Sequence, residues 1–236
     1  MNSIVMATYN GGGFIHAQIE SILRQITIHD ELIIVDDGSS DNTISIIKSF
    51  NDPRINLVIN KKNIGVVGNF YRGLLLAKGD YIFLSDQDDI WAENKVSSVL
   101  RLLESYDMVC HDCTVTNSKL EMIHPSYFEL RKSGKGVIKN FIRNGYIGCC
   151  MAFKKDVFLA SQDEFLNVPM HDVWLGLIAE LNGFKVHFSD EKLIKYRRHE
   201  QAVSETGRKN QIIPSFKAIR ERWRLLNSLR QNGSLI

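Results

Sequence analysis

Proline is scarce, with four in 236 residues, and no apolar stretch runs unbroken for the roughly 20 positions a membrane-spanning helix needs. The start of the chain carries no basic segment followed by an apolar one, so no secretory leader is read and the cytoplasm is the expected compartment. Four cysteines do not suggest a disulfide framework in that setting. Cys110 and Cys113 form a C-x-x-C, but a zinc site would need a second ligand pair. Cys149 and Cys150 sit in an apolar run, and all four read as buried thiols. The dinucleotide pattern G-x-G-x-x-G is not met, and the phosphate-loop pattern G-x-x-x-x-G-K-[ST] occurs nowhere, which weakens both readings. Net charge is also small, at +2.

What is there fits a globular chain. Hydrophobic residues make up 44% and charged residues 24%, a balance that argues against a disordered chain, a collagen or a coiled-coil rod. The length suits one large domain, or one domain with an appendage. Charge is unevenly placed: from Lys195 onward there are ten Lys/Arg against three Glu, so the rest of the chain is acidic. A basic tail on an acidic body points to an anionic partner or to a solvated face.

Short β-branched runs alternate with stretches of helical period. Ser3–Ala7, Leu32–Val35, Ile55–Ile59, Tyr81–Leu84 and Met108–Cys110 read as strands. Between them, Phe14–Arg24, the stretch capped by Asp41, Val66–Ala77 (with Gly79 as its C-cap) and Trp91–Ser105 read as helices. This β-α alternation predicts an α/β fold with a mostly parallel sheet and helices on both faces. Residues 114–148 look like an excursion. Cys149–Phe153, Lys185–Phe188 and Leu193–Tyr196 are further strands, and Asp156–Ser161 and Asp172–Leu181 further helices.

Ligands on such sheets bind beyond the carboxyl ends of the strands, so the residues that follow each strand carry the chemistry. The first strand runs into Thr8-Tyr9-Asn10-Gly11-Gly12-Gly13, the mouth of a helix whose free N–H groups suit a polar or anionic ligand. The second ends in Asp36-Asp37-Gly38-Ser39, carboxylates placed to accept from ribose hydroxyls or base N–H groups. The fourth ends in Asp86-Gln87-Asp88-Asp89. Three carboxylates so close repel one another, which raises their pKa values or favours a cation such as Mg²⁺ or Mn²⁺ shared with a diphosphate.

Taken together, Met6-Ala7-Thr8-Tyr9-Asn10, Val35–Asp41, Asn63-Ile64-Gly65, Asp86–Asp89, His171-Asp172 and Arg197-x-His199 with Ser204 resemble glycosyltransferase family 2, the GT-A nucleotide-diphosphosugar transferases. The resemblance spans about residues 1–205, and Phe83–Trp91 is most similar to the bacterial rhamnosyltransferase-like branch. It implies a GT-A domain over 1–205, with a nucleotide-binding half at 1–113 and an acceptor-side half at 114–205, and a basic helical arm at 206–236. It implies that Ala7, Thr8, Tyr9, Asn10, Asp37, Asn63, Asp86, Gln87 and Arg197 bind the nucleotide sugar. Asp88 and His199 would hold Mn²⁺ or Mg²⁺, and Asp172 would be the catalytic base. His171 stands where many members carry Glu.

The implied reaction is inverting transfer from a nucleotide-diphosphosugar, dTDP-rhamnose or a UDP-sugar, to a glycan or lipid-linked glycan of a bacterial surface polysaccharide. From Phe216 onward, Ile219, Trp223, Leu226 and Leu229 recur at helical spacing among Lys and Arg. That helix suits a peripheral contact with the inner face of the membrane, or packing on its own domain or a second copy. Nucleic acid is not expected, since no recognised motif accompanies the charge. A non-catalytic sugar-nucleotide-binding scaffold is the rival reading. A nucleotidyltransferase ranks behind it, for want of a glycine- and Lys/Arg-rich loop after the first strand.

Overall fold

The computed structural model describes residues 1–199. Its middle layer is a nine-stranded sheet. The strands are β1 (Asn2–Thr8), β2 (Glu31–Asp36), β3 (Ile55–Ile59), β4 (Tyr81–Asp86), β5 (Ile90–Trp91), β6 (Met108–Thr116), β7 (Met122–His124), β8 (Met151–Lys154) and β9 (Val186–Arg197). The helices are α1 (Ile15–Leu23), α2 (Thr43–Ser49), α3 (Gly65–Leu76), α4 (Lys95–Leu103), α5 (Tyr127–Arg131), α6 (Val137–Ile142), α7 (Lys155–Ser161) and α8 (His171–Leu181). The order across the sheet is β3-β2-β1-β4-β8-β6-β9-β5, with β7 paired to β6.

The sequence makes the first half for a simple reason. Leu32–Val35 is apolar at every position because β2 is buried along its whole length between β1 and β3. Ile15, Ile19 and Ile22 form the buried stripe of α1. The chain adds β2 and then β3 on one side of β1, and crosses back through α3 to add β4 on the other. With right-handed crossovers, α3 therefore lies on the opposite face from α1 and α2. The reversal sets a switch point at the carboxyl ends of β1 and β4, where such sheets bind ligands.

The second half is mixed. β8 runs antiparallel to both β4 and β6, whereas β6 and β9 are parallel. Six strands thus share one direction and β5, β7 and β8 oppose it. Three local expectations change. Trp91 does not open a helix: Ile90 and Trp91 pair with Lys195 and Ile194 as β5, and α4 starts at Lys95. The two expected short strands near the end are one strand, β9, whose register against β6 shifts around Asp112. Residues 114–148 contain the end of β6, then β7, α5 and α6. The basic arm and its Pro214 start lie outside the described residues.

Gly79 is required for a different reason from the one expected. It does not cap α3. A Cβ there would sit 2.7 Å from the Met1 carbonyl oxygen and 2.7 Å from the Ser3 nitrogen, both backbone atoms that cannot swing away. Gly79→Ala is expected to destabilise the fold by roughly 1–3 kcal/mol through this overlap. Urea unfolding of the two proteins checks it, and equal midpoints would contradict it. Gly183, at φ 76°, does fill the left-handed position just past α8.

Candidate active site

The carboxyl ends of β1 and β4 are joined by one side chain. Gln87 accepts at Oε1 from Thr8 Oγ1 (2.5 Å) and Tyr9 N (2.9 Å), and donates from Nε2 to the Tyr9 carbonyl (3.1 Å). Behind it, Gln18 of α1 donates to Ser85 Oγ and to the Asp86 carbonyl. The lip Ala7–Tyr9 is thereby fixed against Asp86, while the Tyr9 ring remains exposed.

The glycine loop is more occupied than expected. Gly11 N–H donates to Thr43 Oγ1, and Gly12 N–H donates to Asp41. Asn10 adopts φ 48° and accepts from Ser40 N–H. These groups tie the loop to the start of α2, so the Gly11 and Gly12 amides are not free for an anion.

Asp36 closes the next turn, accepting from Gly38 N, Ser39 N and Ser39 Oγ. Asp37 is buried and holds the Asn63–Gly65 loop: Oδ1 accepts from Asn60 Nδ2 and Ile64 N, and Oδ2 accepts from Gly65 N. Asn63 itself is exposed and reaches back to Gly65 N–H. In this state Asp37 shapes the loop beside Asn63, and several of its lone pairs are used there.

The acidic cluster lies at the end of β4. Asp89 is fully buried, and its Oδ1 accepts from Arg197 N–H at 3.0 Å. Asp88 Oδ2 lies 2.6 Å from His199 Nε2. Burial, and then the charges of Asp88 and Asp172, push the Asp86 carboxyl up to about 7. Burial also holds Asp89 well above the usual carboxylate range, with Asp88 and Asp86 adding to it. Asp172 lies in the first turn of α8, buried, with Oδ1 accepting from Val173 N–H at 2.7 Å. Its influence on Asp86 puts the expected base in the same electrostatic neighbourhood as the cluster.

Arg197, expected at the nucleotide sugar, is braced within the chain. Its Nε donates to the Asp88 carbonyl and its Nη1 to the Ser118 carbonyl, and the guanidinium lies 4.9 Å from the Phe14 ring centroid. It fastens the acidic loop to β9 and to the residues after β6. His199 is carried beside Asp88 by this anchor.

A divalent cation fits these donors. Asp86, Asp88 and Asp89 offer hard oxygens, and His199 an imidazole. Asp89 Oδ2 and His199 Nδ1 are buried without a partner among the described residues. Asp86, Asp89 and the Cys149 thiol also place ligand atoms within 4.8 Å of one another. All four cysteines are free and buried, as read from the sequence.

Two neighbours escape motif reading. Lys95 is fully buried, with Nζ 2.8 Å from the Cys149 carbonyl and 3.8 Å from the Trp91 ring centroid. Burial lowers it to about 8, against the attraction of Asp89. Its signal was a lysine four residues after Trp91 inside an apolar pattern. Cys149 carried none.

His171 is buried and stacks on Phe70 with ring centroids 4.0 Å apart. Burial pushes it from 6.5 down to about 3, so the folded ring is neutral. The unfolded chain therefore binds the extra proton between those values, and stability is lost as pH falls from 6.5 towards 3. His171 alone is expected to cost about 2 kcal/mol of stability between pH 6.5 and about pH 5. His171→Phe keeps the stack and should flatten that limb in urea melts at the two pH values. An unchanged limb would contradict it.

A family model described as glycosyl transferase family 2 matches residues 3–160. This chain belongs to glycosyltransferase family 2. The Escherichia coli UDP-Glc:alpha-D-GlcNAc-diphosphoundecaprenol beta-1,3-glucosyltransferase WfgD is 27% identical to this glycosyltransferase, covering 98% of it and 87% of the relative. The Shigella flexneri dTDP-rhamnosyl transferase RfbG is also 27% identical, covering 83% and 72%. Among solved structures, S. aureus TarS 1-349 in complex with UDP-GlcNAc superposes with a TM-score of 0.68 at 17% identity, covering 85% of this chain and 59% of that one. The mannosyltransferase PcManGT from Pyrobaculum calidifontis, in complex with GDP-Man and Mn²⁺, gives 0.64 at 17% identity, covering 87% and 58%. The glycosyltransferase thus spans about three fifths of those solved chains, and the likeness establishes the GT-A fold. No described helix is long and apolar enough to cross a membrane.

Proposed function

We propose that this family-2 glycosyltransferase moves a sugar, with inversion, from a nucleotide-diphosphosugar to a hydroxyl of a lipid-linked intermediate of a bacterial surface polysaccharide. The observation that carries the reading is the Asp88–His199 contact at the carboxyl end of β4, next to the group of ligand atoms from Asp86, Asp89 and Cys149, with the charge of Asp172 felt at Asp86.

In this reading Ala7–Tyr9, Asn10, Asp37, Asn63 and Gln87 border the nucleoside, and Asp86 faces the ribose. Asp88 and His199 would hold Mn²⁺ or Mg²⁺, which would supply positive charge against the leaving diphosphate. Asp172 takes the proton of the acceptor hydroxyl as its oxygen bonds to the anomeric carbon. The bond from that carbon to the diphosphate breaks, and its electron pair leaves with the phosphate oxygen. A single displacement inverts the anomeric centre. Asp172 lies in the first turn of α8, the end where the helix dipole favours a negative charge. Arg197 acts as the fastener of the acidic loop.

The donor is dTDP-rhamnose in the reading that Phe83–Trp91 and the rhamnosyl relative support. UDP-glucose is the second reading, favoured by a glucosyl relative that covers nearly the whole chain. The acceptor carries a polyprenyl diphosphate, as in that relative's name, and transfer occurs at the cytoplasmic side of the membrane. Thermal shifts with a panel of nucleotide sugars, with and without Mn²⁺, test the donor. Stabilisation by one sugar nucleotide only with the cation supports the reading, and indifference to every nucleotide would sink it. The configuration of the product's new linkage, read by proton NMR, tests inversion.

A further inference from the structure

Between β6 and the 3-10 turn Gly148–Cys150 the chain makes an excursion whose inner side is anchored and whose outer side, among the described residues, carries exposed apolar groups. Asp112 holds α5 by accepting from Ser126 Oγ and Phe128 N–H, and Tyr127 and Phe128 are buried. The α6 segment lies against α8, with Gly136 N–H donating to Glu180 and buried Asn140 bonding the Gly134 and Gly136 carbonyls. The outer side carries large apolar groups in water. Ile138 is 76% exposed and Ile142 46%, one helical turn apart, so both lie on one face of α6. Met122, Ile123 and Leu130 are also exposed.

Along the α6 stretch itself the charges have one sign, although Glu121 and Glu129 flank Met122 and Leu130 and Glu180 meets Gly136. From 130 to 147 there is no Asp or Glu, while Arg131, Lys132, Lys135, Lys139 and Arg143 all fall in that stretch. Apolar side chains that leave the surface beside lysines and arginines match a bilayer interface bearing anionic headgroups. An acidic protein would satisfy the charge but gives no reason for a sparse apolar pair on so short a helix. The excursion also leads directly to the site. Gly148 at its end packs on His171, where an added Cβ would lie 2.8 Å from the ring Nε2, and Asp172 is the next residue.

We propose that the α5–α6 excursion docks this glycosyltransferase on an anionic lipid surface, Ile138 and Ile142 entering the interface and the basic residues binding headgroups. This rests on the reading of a lipid-linked acceptor, because docking there brings the Asp172 side of the site to the membrane. Its residues are distinct in sequence from the basic arm after residue 205, which lies outside the described residues.

The test is sedimentation of the full chain with vesicles of phosphatidylcholine alone or mixed with phosphatidylglycerol. The parent should bind only the mixed vesicles and release in high salt. Lys135→Glu/Lys139→Glu and, separately, Ile138→Ser/Ile142→Ser should each lower partitioning about tenfold or more. Melting temperatures and donor-induced thermal shifts should stay at the parental values, which keeps a failed fold or a failed donor assignment apart from a failed docking surface. Parental partitioning in both variants would mean that the basic arm alone carries binding, and would overturn the proposal. Absence of parental binding to mixed vesicles, or equal binding to neutral ones, would overturn it too.

Discussion

Replacing Asp88 with alanine is expected to lower sugar transfer roughly 10²–10³-fold or more, the range seen when charge stabilisation of a leaving group is removed. The side chain is mostly shielded and sits 2.6 Å from His199, so its loss removes an oxygen donor and leaves that imidazole nitrogen unpartnered. The loop itself should stay in place. Arg197 grips the backbone carbonyl of Asp88 and not its carboxylate, and the amide of Arg197 is held by Asp89. Asp88→Ala therefore separates chemistry from folding. Steady-state transfer and a thermal melt, measured on the same preparation, check both halves. Near-parental transfer that also survives a chelator would contradict the assigned role.

Asp172→Asn is expected to reduce turnover by about 10²–10⁴-fold, the usual worth of a positioned base, with little change in donor KM. The substitution is gentle on structure. The asparagine carbonyl oxygen can still accept from Val173 N–H, one of the contacts of this side chain in the first turn of α8. What is lost is the negative charge and the ability to take a proton. A fall in kcat with unchanged donor affinity is the expected pattern. A rise in donor KM with unchanged kcat would instead place Asp172 in the donor pocket. Full parental kcat would remove it from the reaction.

Much of the molecule was legible before any coordinates. The apolar runs of β1, β2 and β4 are strands covered on both sides, β3 is a partly exposed edge strand, and α1 shows its buried stripe at Ile15, Ile19 and Ile22. The acidic loop was legible because residues that repel one another are unlikely company without a purpose, and its partner His199, about a hundred positions away in sequence, followed from the resemblance. What was not legible depends on distant pairing. Trp91 reads as a helix start until Ile194 pairs with it. Lys95 carries no motif, and its burial depends on the Trp91 ring and the Cys149 carbonyl closing over it. The same holds for two expected ligand residues, Asp37 and Arg197. Their chemical type suits a nucleotide, and the fold also has both brace loops, Asp37 around Asn63–Gly65 and Arg197 beneath Asp88. A carboxylate or guanidinium at a strand end can serve both uses, and the bracing contacts depend on backbone amides and carbonyls distant in sequence.

The central claim is that Asp88 and His199 bind a divalent cation together with a nucleoside diphosphate whose ribose Asp86 faces. Electron paramagnetic resonance of Mn²⁺ titrated into the full chain, with and without UDP or dTDP, tests it most directly. The expected result is loss of the free Mn²⁺ signal when protein and nucleotide are both present, beyond what nucleotide alone removes, and recovery of that signal in Asp88→Ala. An Asp88→Ala protein that captures Mn²⁺ as the parent does, or a parent that captures none with either nucleotide, would contradict the claim.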